Sequence, residues 1–138
     1  PVPYNPYNLR NQKWGPAAVG IAGPAANFTI ALIFGIIIRI LDDMPDAASP
    51  FITNFLAIAS IISILNLFLA FFNLIPIPPL DGSKVLFALL PYQWQSVQWF
   101  LERYGIFVLL GFIFFFSGIL VRIVSVVFSL LVGISPGM

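Results

Sequence analysis

The chain has 138 residues, of which 60% are hydrophobic and 8% charged, and its formal net charge is +1. A soluble domain carries roughly 25% charged residues, so a chain with a mean hydropathy of +1.03 cannot cover itself with polar surface and reads as a single membrane-embedded domain over residues 1–138. The scattered basic residues form no patch, and nucleic acid is not an expected partner. With no cysteine there is no disulfide framework, and with no histidine the commonest metal ligand and general base is missing.

Residues 1–16, PVPYNPYNLRNQKWGP, are polar and proline-rich and contain no signal peptide. The first residue is proline rather than methionine, so we expect part of the protein to lie upstream. A membrane-spanning helix needs about 20 mostly apolar residues, and residues 17–41 are the first run to supply them. Gly20, Gly23, Ala26 and Asn27 lie close together there at helical spacing, as small residues do where helices pack in lipid. Helix packing is the favoured reading of the two glycines. Pro24 is tolerable near the start of such a helix, provided its freed carbonyl finds another partner. An acidic loop, DDMPD from Asp42 to Asp46, follows.

Residues 51–75 form the second expected span. Its polar residues Ser63, Asn66 and Asn73 point roughly one way, toward protein or a wet cavity, and Asn66 is expected to hydrogen-bond between helices. Residues 76–91 are expected to form a loop and a short helix, and residues 92–103 a helix lying at the interface. Over the stretch 91–105, Trp94 and Tyr104 favour the headgroup level. The third expected span, residues 104–134, is long enough to tilt strongly or to break near Gly118. The sequence thus predicts an all-α membrane protein with about three transmembrane helices, one broken at a proline-rich loop, plus a short interfacial helix. By the positive-inside rule, Arg10, Lys13, Lys84 and Arg103 put the N-terminal segment and the loop around Asp81 on the cytoplasmic side.

The segment FFNLIPIPPLDGSKVL, residues 71–86, breaks the second span. Pro76, Pro78 and Pro79 cannot continue a helix, and non-helical backbone at membrane depth is tolerated only against protein or a water-filled cavity. The expectation is therefore a cavity with Asp81 at its wall, and Gly82 free to take conformations closed to other residues. Three roles are open to Asp81: capping the helix that follows, relaying protons or ions, or binding a metal. It cannot build a zinc site alone, because catalytic zinc takes three protein ligands plus water.

Asn73 to Gly82, N-L-I-P-I-P-P-L-D-G, resembles the C-terminal motif of the site-2 protease family of intramembrane zinc metalloproteases. Ala22 to Asn27, A-G-P-A-A-N, is similar to the same family's motif on the preceding membrane segment. Pro6 to Asn11 and Leu101 to Gly105 resemble a compact subgroup without a PDZ domain. The resemblance covers essentially the whole chain. It implies hydrolysis of peptide bonds in or near transmembrane segments, with a membrane-protein or peptide substrate. In that family an H-E-x-x-H helix supplies two zinc ligands and a glutamate base, and the aspartate matching Asp81 supplies the third ligand. The asparagine matching Asn73 hydrogen-bonds substrate or the developing oxyanion, while Gly23, Pro24, Asn27, Pro76, Pro78, Pro79 and Gly82 match supporting motif positions. H-E-x-x-H is absent here. The expectation is therefore the C-terminal part of such a protease, inactive alone, with one zinc ligand and the others upstream, in a prokaryotic cell membrane. The alternatives are a non-catalytic membrane scaffold without the zinc site, and a subunit of a transporter or ion pathway.

Overall fold

The computed structural model describes residues 14–133; the motif at Pro6 to Asn11 and the expected end of the third span lie outside them. The described residues form helices joined by turns, with no strand among them. The order is α1 (Gly15–Asp42), α2 (Pro50–Asn73), α3 (Gly82–Leu89), a 3₁₀ turn (Tyr92–Trp94) and α4 (Gln95–Val132). Gly15–Asp42, Pro50–Asn73 and Tyr92–Val132 are each long and apolar enough to cross a membrane.

Helix α1 runs on through Pro24, which is buried inside it rather than placed in its first turn. The ring nitrogen there removes the hydrogen bond normally made to the Gly20 carbonyl. The acidic loop is a series of short turns, with Met44 N donating to Leu41 O and Ala47 N to Met44 O. Helix α2 opens with Ser49, whose Oγ accepts from Ile52 N at 3.4 Å. Pro50 follows in the first helical position, where a missing N–H costs nothing.

Helix α4 departs from expectation. The separate interfacial helix predicted over residues 92–103 is instead a 3₁₀ turn leading directly into one helix of 38 residues. At 1.5 Å per residue α4 is about 57 Å long, nearly twice a hydrocarbon core of about 30 Å. The polar and aromatic composition of its first turns marks a change of surroundings and not an end of the helix. Trp94, Trp99 and Tyr104 remain exposed, and the Arg103 guanidinium stacks 5.2 Å from the centroid of the Trp99 ring. Nor does the helix break at Gly118, since one glycine costs a helix only about 1 kcal/mol.

The chain divides into two compact units, one of residues 14–24 with 72–116 and the other of residues 25–71 with 117–133. In the second, Ala31, Leu67 and Val124 form a buried cluster against Phe71 and Phe128, and Ile38, Ala59 and Val132 form another. The polar contact between helices is not the expected one. Ser63 is fully buried, and its Oγ donates to Ala31 O of α1 at 2.9 Å. Asn66 turns its amide back to Ile62 O of its own helix at 2.8 Å, because an amide four residues on reaches that carbonyl without a partner helix.

Ser63→Ala is expected to destabilise the protein by about 0.6 kcal/mol, the usual worth of such a bond between membrane helices. Asn66→Leu should change stability less. Reversible unfolding in mixed micelles measures both, and an equal or larger loss for Asn66→Leu would contradict this assignment.

Candidate functional site

Everything that positions the proline–aspartate segment belongs to the unit of residues 14–24 and 72–116. Helix α2 stops at Asn73, and the chain then advances by consecutive tight turns. Ile75 N donates to Phe72 O, Ile77 N to Ile75 O, Leu80 N to Ile77 O and Ser83 N to Leu80 O. These bonds give the backbone donors between the prolines a carbonyl each, as an apolar environment demands. Pro78–Pro79 is a cis peptide bond. Alternate residues fix the segment in place, with Ile75 and Ile77 buried against Leu109 of α4 and flanked by Leu80, Val108 and Phe112.

Glycines admit the segment between its neighbours. A Cβ at Gly20 of α1 would stand 2.7 Å from the Asp81 carbonyl oxygen, and one at Gly105 of α4 would stand 2.7 Å from the Pro78 carbonyl oxygen. A Cβ at Gly82 would overlap the Leu74 carbonyl, so the chain doubles back on itself there with no room for a side chain. Small residues bring backbones this close in lipid. Here the approach is of loop to helix, where the sequence had suggested helix to helix.

Asp81 ends the segment in a half-buried position just before α3. Its backbone is helical (φ −65°, ψ −29°) and its side chain makes no capping hydrogen bond. That answers one of the three roles left open: the carboxylate is not spent on capping. Its Oδ1 is 3.6 Å from Lys84 Nζ, one turn further on. Its Oδ2 faces Gly23, where a Cβ would come within 3.1 Å. The Ser83 hydroxyl donates to Leu80 O at 2.7 Å, closing the turn beneath the carboxylate. A groove of about 270 Å³ runs along the segment, lined by Ile21, Leu74, Pro76, Val85, Leu86 and Leu89. A cavity with Asp81 at its wall was expected; the side chains lining this groove are apolar, and Asp81 is not among them.

The structure thus brings Gly23 and Gly82 to the segment that carries Asp81, Pro76, Pro78 and Pro79. Pro24 is buried one residue further along α1, Asn73 is half-buried at the end of α2, and Asn27 is half-buried in the other unit. Sequence reasoning missed Gly105 and Lys84 as neighbours of the site. The spacing of three between Asp81 and Lys84 was the available signal for the second; nothing local marked the first.

An aspartate oxygen is a normal zinc donor, and this one is uncapped, with its Oδ2 beside Gly23, where a Cβ would come within 3.1 Å. The donor set is incomplete, since no cluster of three His, Cys, Asp or Glu residues exists among the described residues. Asp81 has the chemistry of a single zinc donor and cannot hold the ion alone.

The fold and the site define an integral membrane protein that presents a carboxylate at the break of a membrane helix. Residues 35–116, more than half of the chain and including all of the proline–aspartate segment, match the sequence profile of Peptidase family M50. The chain belongs to that family, the site-2 proteases. It is similar to the Bacillus subtilis protein named "Putative zinc metalloprotease YwhC", with 32% identity over 80% of this chain and 51% of the relative. It is also similar to zinc metalloprotease MJ0392 of Methanocaldococcus jannaschii, with 36% identity over 56% of this chain and 21% of the relative. The chain therefore spans about half the length of the first and about a fifth of the second. No solved structure matches the chain.

Gly20→Ala and Gly105→Ala are each expected to destabilise the protein by about 1–3 kcal/mol, because the new methyl group meets backbone that cannot swing aside. Gly111→Ala, where a Cβ would have nothing within 4 Å, should be neutral or slightly stabilising. Unfolding in mixed micelles tests the contrast, and equal effects at all three positions would remove the case for close approach.

Proposed function

We propose that this chain is part of an intramembrane zinc metalloprotease that cleaves peptide bonds in or near transmembrane segments. Asp81 supplies one zinc ligand, and the other ligands come from outside these 138 residues. One observation carries the reading: an uncapped carboxylate held at the break of a membrane helix, in the segment that matches the peptidase family. Lewis-acid activation of water is the chemistry zinc supplies in such sites.

The chain's own residues have separable tasks. Gly20 and Gly105 set how far the segment sits from α1 and α4, and so where the Asp81 oxygens lie. Gly23 leaves room beside Oδ2 for a further atom. Asn73, at the last residue of α2, offers an amide that donates to the substrate backbone or to the charge that develops on a cleaved carbonyl. Pro76, Pro78 and Pro79 keep the segment from closing into a helix, and the apolar groove beside it suits an unwound stretch of a membrane-helix substrate. With Lys84 near Asp81 and Arg103 in the same unit, the Asp81 loop faces the cytoplasm. The aromatic first turns of α4 lie at that interface.

In the full-length protein, Asp81→Ala is expected to lower zinc content sharply and to abolish cleavage of a membrane-helix substrate. Asn73→Ala should retain zinc and slow cleavage by about 10²–10³-fold, the usual effect of losing one such donor. Metal analysis and a cleavage assay on the same preparations decide it. Unchanged zinc and full cleavage in Asp81→Ala would overturn the ligand assignment, and zinc loss in Asn73→Ala would overturn the role given to Asn73.

A further inference from the structure

Lys84 stands beside the proposed zinc donor and takes no part in the proposed chemistry. It lies in the first turn of α3, three residues after Asp81, and two contacts fix the course of its side chain. A Cβ at Gly20 would stand 3.0 Å from Lys84 Cβ and 3.3 Å from its Cδ. The aliphatic stem therefore runs along α1 where α1 has no side chain. At the end of that stem the ammonium reaches Asp81 Oδ1 at 3.6 Å. The two side chains keep only 22% and 26% of their full exposure, so water screens the pair incompletely.

The carboxylate thus already has a cation. At 3.6 Å the contact is an ion pair held by charge, longer than the roughly 2.7–2.9 Å of a charge-assisted hydrogen bond. A lysine ammonium is a point charge on a flexible stem, and this pair can open by side-chain rotation with the backbone in place. It must give way for a metal to bind well. With zinc–oxygen bonds of about 2.0–2.2 Å, the ammonium would stand within about 8 Å of a zinc ion on either Asp81 oxygen. That is inside the range over which partly buried like charges repel. No second carboxylate is placed to offset the repulsion. The other acidic residue of this unit, Glu102, is exposed on α4 and accepts from Gln98 Nε2 at 3.1 Å.

We infer that Lys84 competes with zinc for the Asp81 carboxylate and so sets the metal affinity of the site. The inference rests on the zinc role proposed for Asp81. Lys84 is neither a ligand nor a catalytic residue; it acts through Asp81. The opposite arrangement, an ammonium that orients the carboxylate for the metal, makes a prediction of opposite sign. Loss of the ammonium strengthens zinc binding if it competes and weakens zinc binding if it orients.

The experiment measures the zinc affinity of the full-length protein in mixed micelles, by competition with a chelator of known affinity. Lys84→Leu keeps an apolar stem and brings no metal donor. It is expected to bind zinc about tenfold more tightly than the unaltered protein, within the reach of groups that touch a metal ligand. A merely structural loss would not tighten binding. Lys84→Arg keeps the charge and should stay within about twofold of the unaltered protein. Unchanged or weaker binding in Lys84→Leu would overturn the inference, as would Lys84→Arg binding as tightly as Lys84→Leu. Asp81→Ala in the same assay separates the two levels. If it weakens binding while Lys84→Leu brings no gain, the competition fails and the ligand assignment stands. If it leaves the affinity unchanged, both fall.

Discussion

Backbone that leaves the helix inside a membrane must have its polar groups covered by protein, and the architecture around Asp81 follows from meeting that demand. The segment after Asn73 satisfies its donors by tight turns and hides its carbonyls against two helices at the positions where those helices have no side chain. Gly20 receives the Asp81 carbonyl and Gly105 receives the Pro78 carbonyl. Ile75 and Ile77 then pin the segment to Leu109 by ordinary apolar packing. The carboxylate position is a product of these backbone contacts more than of any bond the carboxylate makes itself.

The other unit is built by different means. Its clusters around Leu67 and Ala59 join α1, α2 and the end of α4 through side chains, and one buried hydroxyl, that of Ser63, bonds across from α2 to α1. Packing of this kind tolerates small changes in side-chain volume. Contacts of carbonyl oxygen to glycine do not. A single chain thus combines a forgiving helix pack with an unforgiving loop seat.

Much of this was legible in the residues. The apolar runs located α1 and α2 to within a few residues, because length and hydropathy suffice where lipid is the solvent, whereas α4 begins at Gln95, nine residues before the expected start of the third span. The proline cluster located the break, because proline lacks the donor a helix needs. The family resemblance pointed to Asp81, and the match to Peptidase family M50 covers that segment. What remained hidden concerned pairing. Composition showed that Ser63 and Asn66 were both expensive in lipid, but not that the smaller one would cross to the next helix while the larger turned back on its own. The aromatic and polar residues 92–103 signalled a new environment, and a continuous helix crosses into that environment without breaking. Gly105 carried no local sign of its contact, since the partner carbonyl lies 27 residues earlier in the chain.

The contact between Asp81 and Lys84 bears on the order of assembly. An aspartate brought alone into apolar surroundings would be a liability until something positive arrived. Here the positive group is part of the same short stretch of polypeptide and sits 3.6 Å away, so the stretch is electrically neutral as soon as it is made. Insertion and packing need not wait for an external cation, and any cation that later takes the carboxylate has a resident to displace.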